Sequence, residues 1–306
     1  MAEGKKIFVG NYKGGVGKTT SIYQIALHLV EAKKKKVLLI DLDPQCSLSE
    51  ICLTRIDRNL EQLKSDESLN FVYDLWLQFK QFPNLRYSID TTSLIKQTPE
   101  QVHFIPSNLF YTNGGLDQLA SRLRNDFEDL VVLQQFFQTT QLESKYDYIL
   151  FDCPPSNNVI TQGAFLLSDY YLIPSIIQTM SIRGVSHYIK IVERIYKIHC
   201  EDHQKAVVAK LLFGEKPKLI GIFETLKKTN VNNDHVINDL KRELKEADID
   251  SILSDFEKGN YFFKTVIKHY EAIARDTAEG KKRSEYAALT DEILFCIEPN
   301  IFNSLI

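Results

Sequence analysis

A glycine-rich loop between an apolar run and a helical pattern constrains the fold of this chain more than any other feature. Residues 6–10 read KIFVG, residues 13–20 read KGGVGKTT, and residues 18–32 place apolar side chains on one helical face. A second apolar run, VLLI at 37–40, follows, so strand, helix and strand occupy about 40 residues. This βαβ pattern predicts a parallel sheet with a right-handed crossover.

The remaining chain continues this alternation of strands and helices. Further strands are predicted at 102–106, 148–152, 170–174, 219–223 and 262–267, and helices at 116–138, 182–198, 234–246 and 284–297. Residues 59–101 are the least regular, and we expect a peripheral insertion there. No internal repeat or glycine-, proline- or serine-rich linker divides the sequence. The expected fold class is therefore α/β: a single doubly wound domain over 1–306, with a mostly parallel central sheet flanked by helices.

Composition excludes several classes of protein. Hydrophobic residues make up 44% and charged residues 25% of the 306, as in ordinary soluble globular proteins rather than disordered or fibrous ones. No apolar run approaches the ~20 residues of a membrane-spanning helix, and the first residues do not form a secretory signal. Five scattered cysteines indicate reduced thiols, and we expect a cytoplasmic protein. The formal net charge of −3 argues mildly against binding nucleic acid through a general positive field.

The loop at 13–20 has the composition of a phosphate cradle. Its glycines allow the backbone to turn so that successive amides point at phosphate oxygens, and the following helix adds the positive end of its dipole. We predict that Lys18 reaches the terminal phosphates and that the Thr19 hydroxyl binds Mg²⁺. The pattern G-x-x-x-x-G-K-[ST] is not met in full, because Tyr12 stands at its first glycine. The predicted nucleotide-binding residues are Lys13, Gly14, Gly15, Val16, Gly17, Lys18, Thr19 and Thr20.

Three aspartates follow predicted strands. Asp41 and Asp43 come after the run at 37–40, and Asp152 ends the run at 148–151. Ligands of open α/β sheets bind at the carboxyl ends of the strands, so these acids lie at the correct edge. An isolated Asp-x-Asp pair also fits a solvated turn. An apolar strand that ends in an acid has the Walker B layout, and we predict that Asp152 holds Mg²⁺ directly or through water.

The segment KGGVGKTT at 13–20 resembles the deviant Walker A motif of the ParA/MinD family of ATPases. In that family the early lysine, here Lys13, reaches across a dimer interface to the partner's nucleotide, and a non-glycine at Tyr12 resembles the ParA branch. VLLIDLDPQ at 37–45 resembles the family's second signature, in which the second acid, here Asp43, positions the attacking water and the first, Asp41, lies near the metal. YILFDCPPS at 148–156 is similar to the ParA form of Walker B.

The resemblance covers most of the chain outside 59–101 and implies a slow, Mg²⁺-dependent ATP hydrolase with ATP or ADP as ligand. A looser match around residues 265–267 and 279–281 places Ile267 against the adenine. The implied catalytic residues are Lys13, Lys18 and Asp43, and the implied metal-binding residues are Thr19, Asp152 and Asp41.

The resemblance is to short, Soj-like ParA proteins, which bind DNA non-specifically as ATP-bound homodimers and are stimulated by a ParB-like adaptor. Residues 181–306 carry 20 basic and 20 acidic side chains, a net charge of zero. The basic ones gather locally, and each row is either a solvated face or a phosphate-contacting patch completed by dimerisation. Residues 289–306 contain acids but no lysine or arginine, so we expect no MinD-like membrane helix. The two rows are Lys264, Lys268, Arg275, Lys281, Lys282 and Arg283, and Lys190, Arg194 and Lys197.

These inferences predict a ParA-type ATPase that segregates plasmid or chromosomal DNA, cytoplasmic and nucleoid-associated if it binds DNA. Two alternatives keep the nucleotide site. One is a ParA-like positioning or assembly ATPase for a flagellar, secretion or cellulose apparatus. The other is a nucleotide-binding scaffold with little turnover.

Overall fold

The computed structural model describes residues 3–84, 88–124, 126–177, 179–227, 233–246, 252–253, 261–268 and 271–298. The strands in these ranges are β1 (Lys5–Val9), β2 (Val37–Asp41), β3 (Lys96–Gln97), β4 (His103–Ile105), β5 (Tyr148–Asp152), β6 (Tyr170–Ser175), β7 (Lys218–Lys227) and β8 (Phe262–Lys268). They form one sheet in the order β3-β4-β2-β5-β1-β6-β7-β8. Every neighbouring pair is parallel except β3 with β4.

Helices connect the strands and cover both faces of the sheet. They are α1 (Lys18–Glu31), α2 (Ser47–Thr54), α3 (Leu69–Gln81), α4 (Thr91–Leu94), α5 (Leu116–Arg122), α6 (Phe127–Leu130), α7 (Val132–Thr140), α8 (Val159–Leu167), α9 (Thr179–Tyr196), α10 (Ala206–Phe213), α11 (Asp234–Glu246), α12 (Glu271–Ala278) and α13 (Glu285–Ile297). Short 3-10 turns lie at Leu60–Gln62 and Leu142–Ser144, and a π-helical turn at Lys197–Glu201 extends α9.

The central strands are buried on both faces, which explains their continuous apolar sequences. In β1, Ile7 and Val9 pack into the core beneath α1 and α13, whereas Phe8 packs into the opposite core beneath α3, α7, α8 and α9. This alternation follows from the two-residue period of a strand. The predicted α/β fold, doubly wound around a mostly parallel sheet, is confirmed.

The predicted helix at 116–138 is instead three helices, α5, α6 and α7. The Asp126 carboxylate accepts a hydrogen bond from the Asp129 amide at 2.9 Å and begins α6. Asp129 in turn accepts bonds from the Arg124 amide and the Trp76 indole, both at 2.7 Å. The hydrogen bonds of the buried Asp129, one of them to the separate helix α3, therefore determine where the predicted helix is interrupted.

The segment 59–101, predicted as a peripheral insertion, contributes buried residues to the core and a strand to the sheet. Its helix α3 buries eight residues, including Tyr73 and Trp76, and packs in the core beneath the sheet. Its end supplies β3, which extends the sheet edge by antiparallel pairing with β4. The helices α2, α4, α8, α10 and α12 were not predicted from sequence.

None of the described helices combines the length and apolar character needed to cross a membrane. The C-terminal helix α13 packs on α1 and β8, with Leu289 and Ile293 almost fully buried. The remainder of the acidic tail, 299–306, lies outside the described residues.

Candidate active site

Parallel pairing brings the predicted site residues to one edge of the sheet. Val9, the last residue of β1, lies opposite Asp152 at the end of β5, and Asp152 lies opposite Asp41 at the end of β2. The glycine loop leaves β1 at this edge and enters α1. The loop and the acids therefore face the same space.

The glycine loop is held in a conformation that favours glycine. Gly15 and Gly17 have φ angles of 70° and 75°, in the left-handed region where a Cβ is unfavourable. Gly17 directly precedes α1, so the free amides of the first helical turn border the loop. A Cβ added at Gly14, Gly15 or Gly17 would meet no heavy atom within 4 Å. The backbone conformation therefore favours glycine at Gly15 and Gly17, and the space beside all three glycines is open.

Lys18 curls back over the loop. Its side chain is buried, and its Nζ donates to the Asn11 and Lys13 carbonyl oxygens, each at 3.4 Å. Asn11 fixes the start of the loop, because its Nδ2 donates to the Pro174 carbonyl at 2.8 Å and its Oδ1 accepts from the Lys13 amide at 3.0 Å. The structure thus holds the Lys18 ammonium against the loop backbone, whereas Lys13 is exposed.

The carboxyl of Asp152 is fully buried, and neither of its oxygens has a hydrogen-bond partner among the described residues. Burial raises its pKa well above the usual range, and the nearby Asp41 charge raises it further. The Thr19 hydroxyl and the Lys18 ammonium partly oppose this rise in pKa. A buried carboxylate without a partner, beside a hydroxyl, is a donor set that suits a hard divalent cation.

The neighbouring Asp41 carboxyl is engaged on both oxygens. Its Oδ2 accepts from the Ser49 amide at 2.9 Å and the Ser49 hydroxyl at 2.5 Å, and its Oδ1 accepts from the Asp43 amide at 3.0 Å. Burial raises the pKa of Asp41 to about 6, while these three donors act in the opposite direction. In this structure Asp41 holds the β2–α2 turn and lies beside the predicted metal position rather than offering a free oxygen to it.

Asp43 lies two residues beyond β2 and is half-buried. Its Oδ1 accepts a hydrogen bond from the Gln45 amide at 2.9 Å, which orients the side chain. Asp43 lines an open cleft of about 750 Å³ together with Pro154, Pro155 and Asn157, which follow β5. The cleft gives water and a second molecule access to this carboxyl.

Ile267, the predicted adenine contact, is 1% exposed and packs in the core beneath α1 and α13. Its side chain is therefore not brought to the open edge with the loop and the acids. The segments that follow β7 and β8 at this edge, 228–232 and 269–270, lie outside the described residues.

The two basic rows differ in how their charge is compensated. In the first row Arg275, Lys281, Lys282 and Arg283 each form an ion pair with a nearby acid, whereas the exposed Lys264 and Lys268 form none within the described ranges. Lys190, Arg194 and Lys197 are exposed along α9 and its π-turn, and none forms an ion pair within the described ranges. The α9 row therefore presents the less compensated positive charge.

Three residues that the sequence analysis missed stabilise the site. Asn11 and Ser49 position the loop and Asp41, and the Thr225 hydroxyl donates to the Val16 carbonyl at 2.8 Å. The contacts of Asn11 with Pro174 and of Thr225 with Val16 join distant positions, whereas Ser49 lies only eight positions from Asp41. Single polar residues of this kind carry no periodic or motif signal. Thr225 and Val16 are 209 positions apart, so only the folded sheet reveals the contact.

Comparisons with known proteins agree with this geometry. A family model described as an AAA domain matches residues 4–206. The virulence plasmid ParA family protein pGP5-D of Chlamydia psittaci is 33% identical over 177 residues, which cover 57% of this chain and 58% of that protein. The chromosome-partitioning ATPase Soj of Treponema pallidum is 26% identical over 287 residues, or 93% of this chain and 91% of that protein.

Among solved structures, the ATP complex of a Cyanothece McdA variant superposes with a TM-score of 0.71 and 17% sequence identity, with 97% of each chain covered. At that identity the likeness supports the fold alone. The family match extends over the glycine loop, both strand-end acids and the helices that support them. The chain therefore belongs to the AAA-domain family of P-loop ATPases, and within it to the ParA/MinD type.

Proposed function

We propose that this protein is a ParA-type DNA-partition ATPase, which binds Mg²⁺-ATP, dimerises around it and hydrolyses it slowly. The observation that carries the proposal is the unpartnered, buried Asp152 carboxyl beside a glycine loop that encloses Lys18. The similarity to a chromosome-partitioning Soj ATPase supports the same function.

In this proposal ATP hydrolysis depends on where charged groups are held around the phosphates rather than on covalent catalysis. Transfer of a γ-phosphoryl group to water requires in-line placement and neutralisation of charge on the phosphate oxygens. The loop amides and Lys18 bind the phosphates, and Asp43 accepts a hydrogen bond from the attacking water and aligns it. A bound Mg²⁺, held by Asp152 and the Thr19 hydroxyl, supplies positive charge to the phosphates.

Lys13 connects turnover to dimerisation. Lys13 is exposed, while Lys18 is buried against the loop backbone. We propose that the Lys13 ammonium of each subunit reaches the nucleotide of the other. Because the added charge is present only in the dimer, the hydrolysis rate per subunit should rise with protein concentration.

DNA binding follows from the same dimerisation. The row Lys190, Arg194 and Lys197 offers few charges per subunit, so a monomer binds DNA weakly. Two rows in one dimer double the phosphate contacts, and binding then depends on ATP and on salt. We propose that a ParB-like adaptor stimulates hydrolysis and thereby releases the protein from the nucleoid.

The test is the steady-state ATPase rate over a series of protein concentrations, with and without non-specific double-stranded DNA. We expect a rate per subunit that rises with concentration and with DNA, and a DNA effect that weakens as salt increases. Lys13→Gln should abolish the concentration dependence and leave nucleotide binding measurable. Lys145→Gln, an exposed lysine just before β5, serves as the matched control. Unchanged cooperative turnover in Lys13→Gln would refute the dimer model.

A further inference from the structure

The glycine loop is tied to a strand that does not adjoin its own. The hydroxyl of Thr225, near the end of β7, donates a hydrogen bond of 2.8 Å to the carbonyl of Val16 in the loop. Strand β6 lies between β1 and β7, so this bond crosses the end of one strand. Both residues are 1% exposed, and the bond is therefore shielded from water.

The end of β7 that carries Thr225 is itself braced. The preceding Glu224 accepts a hydrogen bond of 2.5 Å from Asn233, which directly precedes α11, and its other oxygen lies 3.3 Å from the Lys227 ammonium. The following Leu226 has a φ of 51°, a conformation that bulky side chains rarely adopt. Such a conformation persists where the surroundings determine it. The Thr225 hydroxyl is thus presented to the loop from a fixed support.

The direction of the Val16 carbonyl determines the direction of a phosphate-binding amide. In a planar trans peptide the carbonyl oxygen and the next N–H point in opposite directions. The Thr225 hydroxyl holds the Val16 oxygen toward the buried end of β7, so the Gly17 N–H points away from Thr225. Gly14 and Gly15 have no side chains to resist rotation of the adjoining peptides, which makes an external anchor necessary.

We infer that Thr225 is a positioning residue for the nucleotide: its hydroxyl orients the Val16–Gly17 peptide so that the loop is ordered for phosphates before they bind. This inference rests on the proposed ATP-binding function. Without the anchor, the loop populates other conformations, and the apparent dissociation constant rises in proportion to the fraction lost. Phosphates bound in the ground state and in the transition state lose this ordering equally, so KM changes and kcat does not.

The experiment measures binding of a fluorescent ADP analogue, together with kcat and KM for ATP, in the full chain. Thr225→Val removes the hydroxyl and retains the shape, and we expect a roughly five- to thirtyfold weaker affinity and higher KM, with kcat within about twofold. Thr225→Ser retains the hydroxyl and should restore affinity. Thr290→Val makes the same change at a buried threonine whose hydroxyl, among the described residues, bonds only to the Tyr286 carbonyl within α13, and it should match wild type.

Equal affinity in Thr225→Val and wild type would overturn the inference, as would equal losses in Thr225→Val and Thr225→Ser. If Thr225→Val does not fold, as judged by circular dichroism, Thr225→Ala repeats the comparison with Thr225→Ser under the same criteria. A wild-type protein that binds no ADP analogue would instead refute the proposed function, so the two failures are distinguishable.

Discussion

The ends of β2 and β5 carry the same residue type at paired positions but in different surroundings. Asp41 and Asp152 lie opposite each other in register, and both are almost fully buried. Three donors from Ser49 and Asp43 engage Asp41, whereas Asp152 has no partner within the described ranges. Available donors, rather than residue type or position at a strand end, therefore decide which acid is open to a cation.

The electrostatics of the two acids supports this distinction. Burial raises both pKa values, to about 6 for Asp41 and well above the ordinary range for Asp152. At Asp41 the three donors stabilise the ionised form and oppose the rise. At Asp152 the Asp41 charge adds to it, although Thr19 and Lys18 partly oppose it. A divalent cation at Asp152 would relieve both the desolvation of that acid and its repulsion with Asp41.

The most severe predicted loss is that of hydrolysis in Asp152→Asn. The amide lacks the charge that holds Mg²⁺, so we expect the steady-state ATPase rate to fall by roughly 10²- to 10³-fold. Asp147→Asn makes the same change at the exposed residue just before β5, far from the loop, and should retain the wild-type rate. A loss of activity in Asp41→Asn that exceeds the loss in Asp152→Asn would reverse the assignment of the two acids.

Asp43→Ala is the next most severe change and separates water alignment from metal binding. The carboxyl lies in the open cleft and is oriented by the Gln45 amide, so its removal should lower kcat by about 10²-fold. Single-turnover and nucleotide-binding measurements should show unchanged Mg²⁺-ATP affinity. A hydrolysis rate equal to wild type would remove Asp43 from the catalytic set.

The third prediction concerns stability: the free energy of unfolding should change in opposite directions in Asp152→Asn and in Asp41→Asn. At pH 8 without Mg²⁺, Asp152→Asn removes a buried carboxyl whose raised pKa destabilises the fold, and we expect the free energy of unfolding to rise by about 1–2 kcal/mol. Asp41→Asn instead leaves donors from Ser49 or Asp43 without an acceptor and should lower it by about 1–3 kcal/mol. Denaturant unfolding measures both.

The pH dependence of this third effect follows from the direction of the pKa shifts. An acid whose pKa is higher in the folded protein destabilises the fold as pH rises from its unfolded pKa, about 4, through its folded pKa. The advantage of Asp152→Asn should therefore be absent below about pH 4 and grow as pH rises. A loss of stability in both variants at pH 8 would show that Asp152 has partners in solution.

Much of the fold could be predicted from sequence where local pattern and tertiary burial agree. The predicted strand 148–152 coincides with β5, because its four apolar residues and the Asp152 that ends it are all buried. The helix α10 was missed because its sequence, AVVAKLLF, lacks an amphipathic pattern, and Val207 and Leu211 are 74% and 81% exposed. The break between α5 and α6 was missed because it depends on Asp129, which binds Trp76 from another helix.

The candidate site, too, could be predicted from sequence only in part. The glycine loop and the strand-end acids are contiguous motifs whose positions follow from a parallel sheet, so the sequence alone brings them to one edge. The hydrogen bonds that distinguish Asp41 from Asp152 come from single polar groups two and eight positions beyond Asp41, which carry no motif signal. The contact of Thr225 with Val16 joins positions 209 apart. Partner surfaces are harder still, since charge rows such as Lys190, Arg194 and Lys197 fit both a solvated face and a DNA contact.

Metal-dependent nucleotide affinity is the sharpest test of whether Asp152 holds the metal of an ATP site. The quantity to measure is the dissociation constant of a fluorescent ATP analogue with Mg²⁺ and with EDTA, in wild type, Asp152→Asn and Asp41→Asn. We predict that Mg²⁺ tightens binding in wild type and in Asp41→Asn, and has no effect in Asp152→Asn. A full Mg²⁺ effect in Asp152→Asn would contradict the assignment of Asp152 as the metal-binding acid.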